Sequence, residues 1–170
     1  MRPPQTVCAS LILCAALIAA PALGAVTAPR VDYSQMARPL PLPYDEAADA
    51  DAAVAGAIKR AKAQGKLVLI DLGGNWCLDC RILAGVIEIP ALKAFVAKHY
   101  ELVEVDVGRF DKNLQIPARY GITRRLEGVP ALLVVDPRTD SLRNPGRTSA
   151  LADARSMTAQ ALADWLAQWP

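Results

Sequence analysis

Three short strand-like stretches frame this chain, at residues 67–72, 101–107 and 131–136, with helix-patterned stretches around them. Residues 67–72 are apolar apart from Asp71, the profile of a strand buried on both faces. Residues 101–107 and 131–136 are rich in Val and Leu and read as two further strands. Ahead of the first strand, residues 45–64 are Ala-rich, with Asp45, Glu46, Asp49 and Asp51 early and Lys59, Arg60 and Lys62 late. Acid first and base last suits the helix dipole, and Gly65 stops the helix. Gly73-Gly74-Asn75 then turns the chain, and a helix is predicted from near Cys77 to about Glu88. Pro90 opens another that runs to about Lys98. Residues 137–146 read as a loop or hairpin tip flanked by a short strand. Thr158 can cap a last helix, on which Leu162, Trp165, Leu166 and Trp169 fall at helical spacing. Strands alternating with helices predict an α/β layered domain over residues 45–170.

Upstream of residue 45 the pattern changes. Arg2 is followed by an apolar stretch, residues 7–22, broken by Ser10, and Ala22-Leu23-Gly24 then offers small residues where a signal peptidase reads. The stretch is about 16 residues, short of the roughly 20 needed to span a bilayer as a helix. Residues 1–24 are therefore expected to be a secretory signal peptide, and the mature chain periplasmic or secreted. Residues 25–44 hold Pro29, Pro39, Pro41 and Pro43 and few large apolar side chains, so they are expected to be an extended tether.

Composition narrows the function. The length of 170 residues suits one domain, and 53% hydrophobic content argues against disorder, although 31 residues are Ala. A net charge of +2 without a clustered basic excess argues against nucleic acid as a partner. There are four Cys and one His. Cys8 and Cys14 leave with the expected signal peptide, so the mature chain keeps Cys77 and Cys80. A disulfide between them closes a loop too short to constrain the unfolded chain much, which favours chemistry over stapling.

The spacing admits several readings. A structural zinc site needs about four ligands, and Cys77, Cys80 and His99 cannot complete it. Covalent haem needs a His after the second Cys, and Arg81 stands there. No metal and no cofactor are therefore expected. An inert disulfide and a redox-active dithiol remain, and position favours the second. Trp76-Cys77-Leu78-Asp79-Cys80 follows a buried strand and opens a helix, where residues three apart share a face. Cys77 in the first turn meets unpaired backbone N–H groups and the positive end of the dipole, both favouring the thiolate.

These residues resemble the thioredoxin superfamily. The likeness lies in LVLIDLGGNWCLDC and, downstream, GVPALLVVD, and it spans residues 45–136, with the last helix matching more loosely. The chain looks most like secreted or periplasmic thioredoxin-like proteins, including the thioredoxin-like end domain of membrane electron transporters. The resemblance implies a thioredoxin fold, a central mixed sheet flanked by helices. It also implies a thiol–disulfide oxidoreductase that reduces oxidised protein substrates and is recharged by a membrane or soluble dithiol donor; a monomer is expected. Cys77 would be the attacking thiolate and Cys80 the resolving thiol. Asp71 matches the buried acid that moves the proton off the resolving thiol, and burial should raise its pKa. Pro130 matches the family's cis-proline, so Val129 and Pro130 should pack on the dithiol and offer Val129's backbone to an extended substrate. Trp76 would be the surface ring beside the first Cys. The alternatives are a binding or adaptor module without turnover, and a disulfide oxidase or isomerase.

The departures matter too. Leu78-Asp79 replaces the Gly-Pro of thioredoxin. Asp79, with no positive charge to compensate it and Arg81 pointing away, is expected to oppose the thiolate. The potential should then lie nearer thioredoxin's, about −270 mV, than a strong oxidase's, about −120 mV. Glu104 stands where thioredoxin has a Lys near its buried acid. Residues 109–126, with Arg124-Arg125, are longer than in thioredoxin and read as a solvated loop before a partner-recognition element. His99 is given no catalytic role, and Trp165 and Trp169 are expected to pack the core.

Overall fold

The structure is a computed structural model that describes residues 26–170, so the expected signal peptide lies outside the described residues. In chain order the elements are α1 (Ala50–Gln64), β1 (Leu67–Gly73), α2 (Leu78–Ile87), α3 (Pro90–His99) and β2 (Tyr100–Asp106). They continue with α4 (Gln115–Arg119), β3 (Ala131–Asp136), β4 (Ser141–Leu142) and α5 (Ala159–Leu166). Two single 3-10 turns complete the order, Tyr33–Gln35 before α1 and Ala154–Ser156 between β4 and α5.

The sheet order is β2-β1-β3-β4, with β1 parallel to β2 and antiparallel to β3. This is the mixed sheet of a thioredoxin fold, as the resemblance implies. β1 is central and buried on both faces, and its side chains alternate between two cores. Val68, Ile70 and Leu72 pack with Val54 and Ala57 of α1. Leu69 packs on the opposite face with Leu83 of α2, Leu92 of α3 and Leu162 of α5. Asp71 shares the parity of Leu69, so an ionisable side chain is sent into the apolar layer under α2.

Local chemistry sets the element ends. α1 starts later than predicted: Asp49 caps it by accepting from Ala52 N–H at 3.0 Å, and Asp45 instead holds a preceding turn through Ala47 N–H at 2.9 Å. Gly65 ends it at φ 67°, a left-handed position that glycine occupies without steric cost. Thr158 caps α5 through Ala161 N–H, as expected. That helix closes at Leu166, so Trp169 lies past its end, where its ring meets Trp165 edge-on at 5.3 Å. In the hairpin after β3, buried Asn144 accepts from Val134 N–H and donates to Leu132 C=O, doing the pairing work of an edge strand.

The tether expected over residues 25–44 is corrected by the structure. The segment is largely extended, but Val31, Met36 and Tyr44 are buried, and the first two join the core under α2 and α5. Distant groups also anchor it. Val31 N–H donates to Gln160 Oε1, and the Tyr33 hydroxyl lies within hydrogen-bond reach of the Ala154 and Met157 carbonyls. Arg81 does point away from the dithiol, and its guanidinium holds the Leu40 and Pro41 carbonyls at 3.1 Å. Three well-placed apolar side chains suffice because the prolines leave little backbone entropy to lose. Their partners lie up to 131 residues away, beyond the reach of local pattern.

Candidate active site

The Gly73-to-Asn75 turn delivers the chain from β1 to α2, and Cys77 is itself the N-cap of α2. Its Sγ accepts from Cys80 N–H at 3.2 Å, the kind of contact that stabilises a thiolate once the pair is reduced. Cys77 and Cys80 form a disulfide with Cα atoms 5.3 Å apart. Cys80 is wholly buried, whereas Cys77 borders an open groove of about 630 Å³. Trp76, Phe110, Gly128, Val129 and Arg155 line the same groove.

The other predicted residues converge here. The Val129–Pro130 bond is cis, and Val129 O lies 3.4 Å from Cys77 Sγ. Trp76 is 41% exposed beside the first Cys and is fixed by its Nε1–H, which donates to Gly108 O at 2.7 Å. Arg109 stacks over its ring at 4.3 Å, while Arg125 stacks over Phe110 at 4.5 Å. Part of the 109–126 segment thus reaches the groove, contrary to a purely solvated loop. His99 sits away from the dithiol, tilted against Phe95 at 4.6 Å. Among the described residues no cluster of three His, Cys, Asp or Glu side chains is placed to hold a metal.

Beneath the pair lies an acidic layer. Asp71 is 1% exposed, and burial first, the Glu104 charge second, push its carboxyl up to about 8. Glu104 is its register partner on β2 and is itself raised, chiefly by burial. The Tyr44 hydroxyl faces Asp71 and favours its ionised form, yet the two stop short of a formed hydrogen bond. Both Tyr44 Oη and Asp71 Oδ1 are buried without a partner.

Asp79 requires a correction. It is not uncompensated: Arg155 meets it from the 3-10 turn before α5. Arg155 backbone N–H and Nε donate to Oδ1, both at 2.9 Å, and Nη2 closes the second arm on Oδ2. The Arg155 side chain holds the Asp79 carboxyl below the usual carboxylate range. The pair spans 76 residues of sequence, and only the packing of that turn on α2 brings it together. Tyr44 and Arg155 are among the site residues that sequence reasoning missed. Neither lies in a motif, and both arrive from segments outside the strand–turn–helix that carries the two cysteines.

A wholly buried sulfur, a groove-facing sulfur at a helix N-terminus, a cis-proline beside it and a buried acid define a thioredoxin-fold thiol–disulfide oxidoreductase. The comparisons agree. Residues 49–137 match the family described as Thioredoxin-like, which is more than half of the chain, and the chain belongs to that family. Among solved structures it is similar to a disulphide isomerase from Xylella fastidiosa Temecula1, at 40% identity and a TM-score of 0.69. The match covers 75% of this chain and 96% of that one. No curated protein sequence matches.

Proposed function

We propose that this chain reduces disulfides of oxidised protein substrates in an extracytoplasmic compartment, with Cys77 attacking and Cys80 resolving. The observation that carries the reading is the buried Asp71, its pKa pushed to about 8, on the strand that runs under the wholly buried Cys80. A resolving thiol with no water around it needs such an acceptor. In the reduced protein the Cys77 thiolate attacks one sulfur of a substrate disulfide held against Val129. That S–S bond breaks, a mixed disulfide forms, and the first substrate thiolate leaves. Cys80 passes its proton to the Asp71 carboxylate, and its thiolate attacks Cys77 Sγ. The mixed disulfide breaks, the second substrate thiolate leaves, and the Cys77–Cys80 disulfide closes. Two electrons have moved to the substrate, and a membrane or soluble dithiol donor must return them.

The extracytoplasmic reading is supported by the expected signal peptide and by a mature chain whose only cysteines are the redox pair. Insulin reduction by the mature domain tests the enzyme. The wild type should turn over and Cys77→Ser should not, and equal rates would leave the adaptor reading in its place. Trapping with Cys80→Ser should then recover specific protein partners as unresolved mixed disulfides.

A second reading, disulfide isomerase, has two observations behind it. The similar solved protein is a disulphide isomerase, and the Asp79–Arg155 pair removes the lone negative charge that would draw the potential down. Equilibration against glutathione separates the two. A value nearer about −270 mV supports the reductase, and one above about −180 mV supports the isomerase.

A further inference from the structure

Tyr44 lies outside the residues that match the family and on the segment expected to be a tether. It is nevertheless clamped to the active-site turn. Its N–H donates to Asn75 Oδ1 at 3.1 Å, and Asn75 Nδ2 donates back to its carbonyl at 2.8 Å. The ring is 2% exposed, and its hydroxyl has no hydrogen-bond partner. A buried hydroxyl is costly without a good acceptor, and the reduced state of the pair can supply one. The surroundings point to that state. A Cβ built on Gly73 would overlap the Tyr44 hydroxyl and lie 2.9 Å from Cys80 Sγ, so the hydroxyl and the resolving sulfur border the same space. Asp71, whose Oδ1 is unpartnered, faces the same hydroxyl. A disulfide sulfur is a poor acceptor, whereas a thiolate is a strong one.

We propose that Tyr44 is a positioning residue of the dithiol reaction, held by the Asn75 clamp so that its O–H donates to the Cys80–Asp71 pair once the disulfide is open. The inference rests on the proposed transfer of the Cys80 proton to Asp71. Before that transfer the negative charge sits on the carboxylate, and after it on Cys80 Sγ. The hydroxyl can follow the charge from one to the other without giving up its own proton. Burial and the Asp71 charge push the phenol well above its ordinary range, so it stays a donor throughout. The other groups around the pair are acidic: Glu104 on β2, Glu88 at the end of α2, met by Lys93 at 2.7 Å, and Asp106 at the end of β2, met by Lys112 at 2.7 Å. From β3 the residue opposite Asp71 is the uncharged Leu132. A donor on this acidic side eases the charge that resolution must carry.

The test is Tyr44→Phe in the mature chain, which keeps the ring and deletes the donor. Release of substrate from a preformed mixed disulfide is followed in single turnover from pH 6 to 9. Without the O–H, ionised Asp71 is less favoured, so the midpoint of the release profile should move up by about one unit and release at pH 7 should slow several-fold. Iodoacetamide alkylation of Cys77 in a Cys80→Ser background should keep its pH midpoint, because Tyr44 acts on the buried partner. A release profile superimposed on the wild type overturns the inference, as does an equal shift in Cys77 alkylation. Asp71→Asn separates this failure from that of the reading beneath it. If Asp71→Asn abolishes the pH dependence of release while Tyr44→Phe behaves as wild type, only the role of Tyr44 fails. If Asp71→Asn also releases substrate with the wild-type profile, the proton-transfer reading fails with it.

Discussion

Replacing Asp71 by Asn should shift stability steadily in the variant's favour as pH rises. The carboxyl is buried in the layer under α2, and burial raises its pKa from 3.8 to about 8. An acid whose pKa is raised on folding binds its proton more tightly in the native state. Its favourable contribution is therefore complete below about pH 4 and is lost progressively as pH climbs towards 8. At about 1.4 kcal/mol per pH unit, the wild type gives up on the order of 4 kcal/mol between pH 4 and pH 7 through this one group. Asn has the same shape and no titration, so it removes that slope. It also brings an amide into a site where Oδ1 already lacks a partner, a cost of about 1–3 kcal/mol that does not vary with pH. The slope of the difference is thus the diagnostic, and its absolute sign at any one pH is secondary. Urea unfolding of both oxidised proteins at pH 5, 7 and 8.5 should show a gap that widens steadily in favour of Asp71→Asn. A gap that stays flat across this range would refute the reasoning, because it would mean that Asp71 ionises in the fold as freely as in the unfolded chain. The same variant should resolve mixed disulfides more slowly, a trade of activity for stability.

Three further outcomes are expected. Arg155→Gln frees the Asp79 charge beside Cys77, so the thiolate should be less favoured, the Cys77 pKa higher and the potential more reducing by up to about 30 mV; thiolate absorbance and glutathione equilibration read both. Deleting residues 26–44 removes the burial of Val31, Met36 and Tyr44, at about 1.5–3 kcal/mol each, so urea unfolding should shift by several kcal/mol, whereas a true tether would leave it unchanged. N-terminal sequencing of the exported protein should begin at Ala25 or a nearby small residue, and a membrane-held chain starting at Met1 would overturn the signal-peptide reading.

The three main strands, the helices around them and the dithiol were legible in the sequence because each rests on local physics, whereas the short α4 fell in the 109–126 segment read as a loop. A continuous apolar run with one acid is a doubly buried strand whatever follows it, and the alternation at Leu69, Ile70 and Asp71 already assigns Asp71 to one face. The Cys77–Cys80 spacing at a strand-to-helix turn likewise places one sulfur at a helix N-terminus without knowledge of the rest. What only the tertiary structure decided are the long-range partners. Asp79 looked like an isolated charge until Arg155 arrived from 76 residues away, and residues 25–44 looked like a tether until Tyr44 closed on Asn75. Composition counts charges and prolines but carries no information on which distant group will meet them. The pairing follows from how the 3-10 turn packs on α2 and how the N-terminal segment crosses the active-site turn. Side-chain electrostatics are set by such packing, since a neighbour a few ångströms away outweighs any number of charges along the chain that water separates.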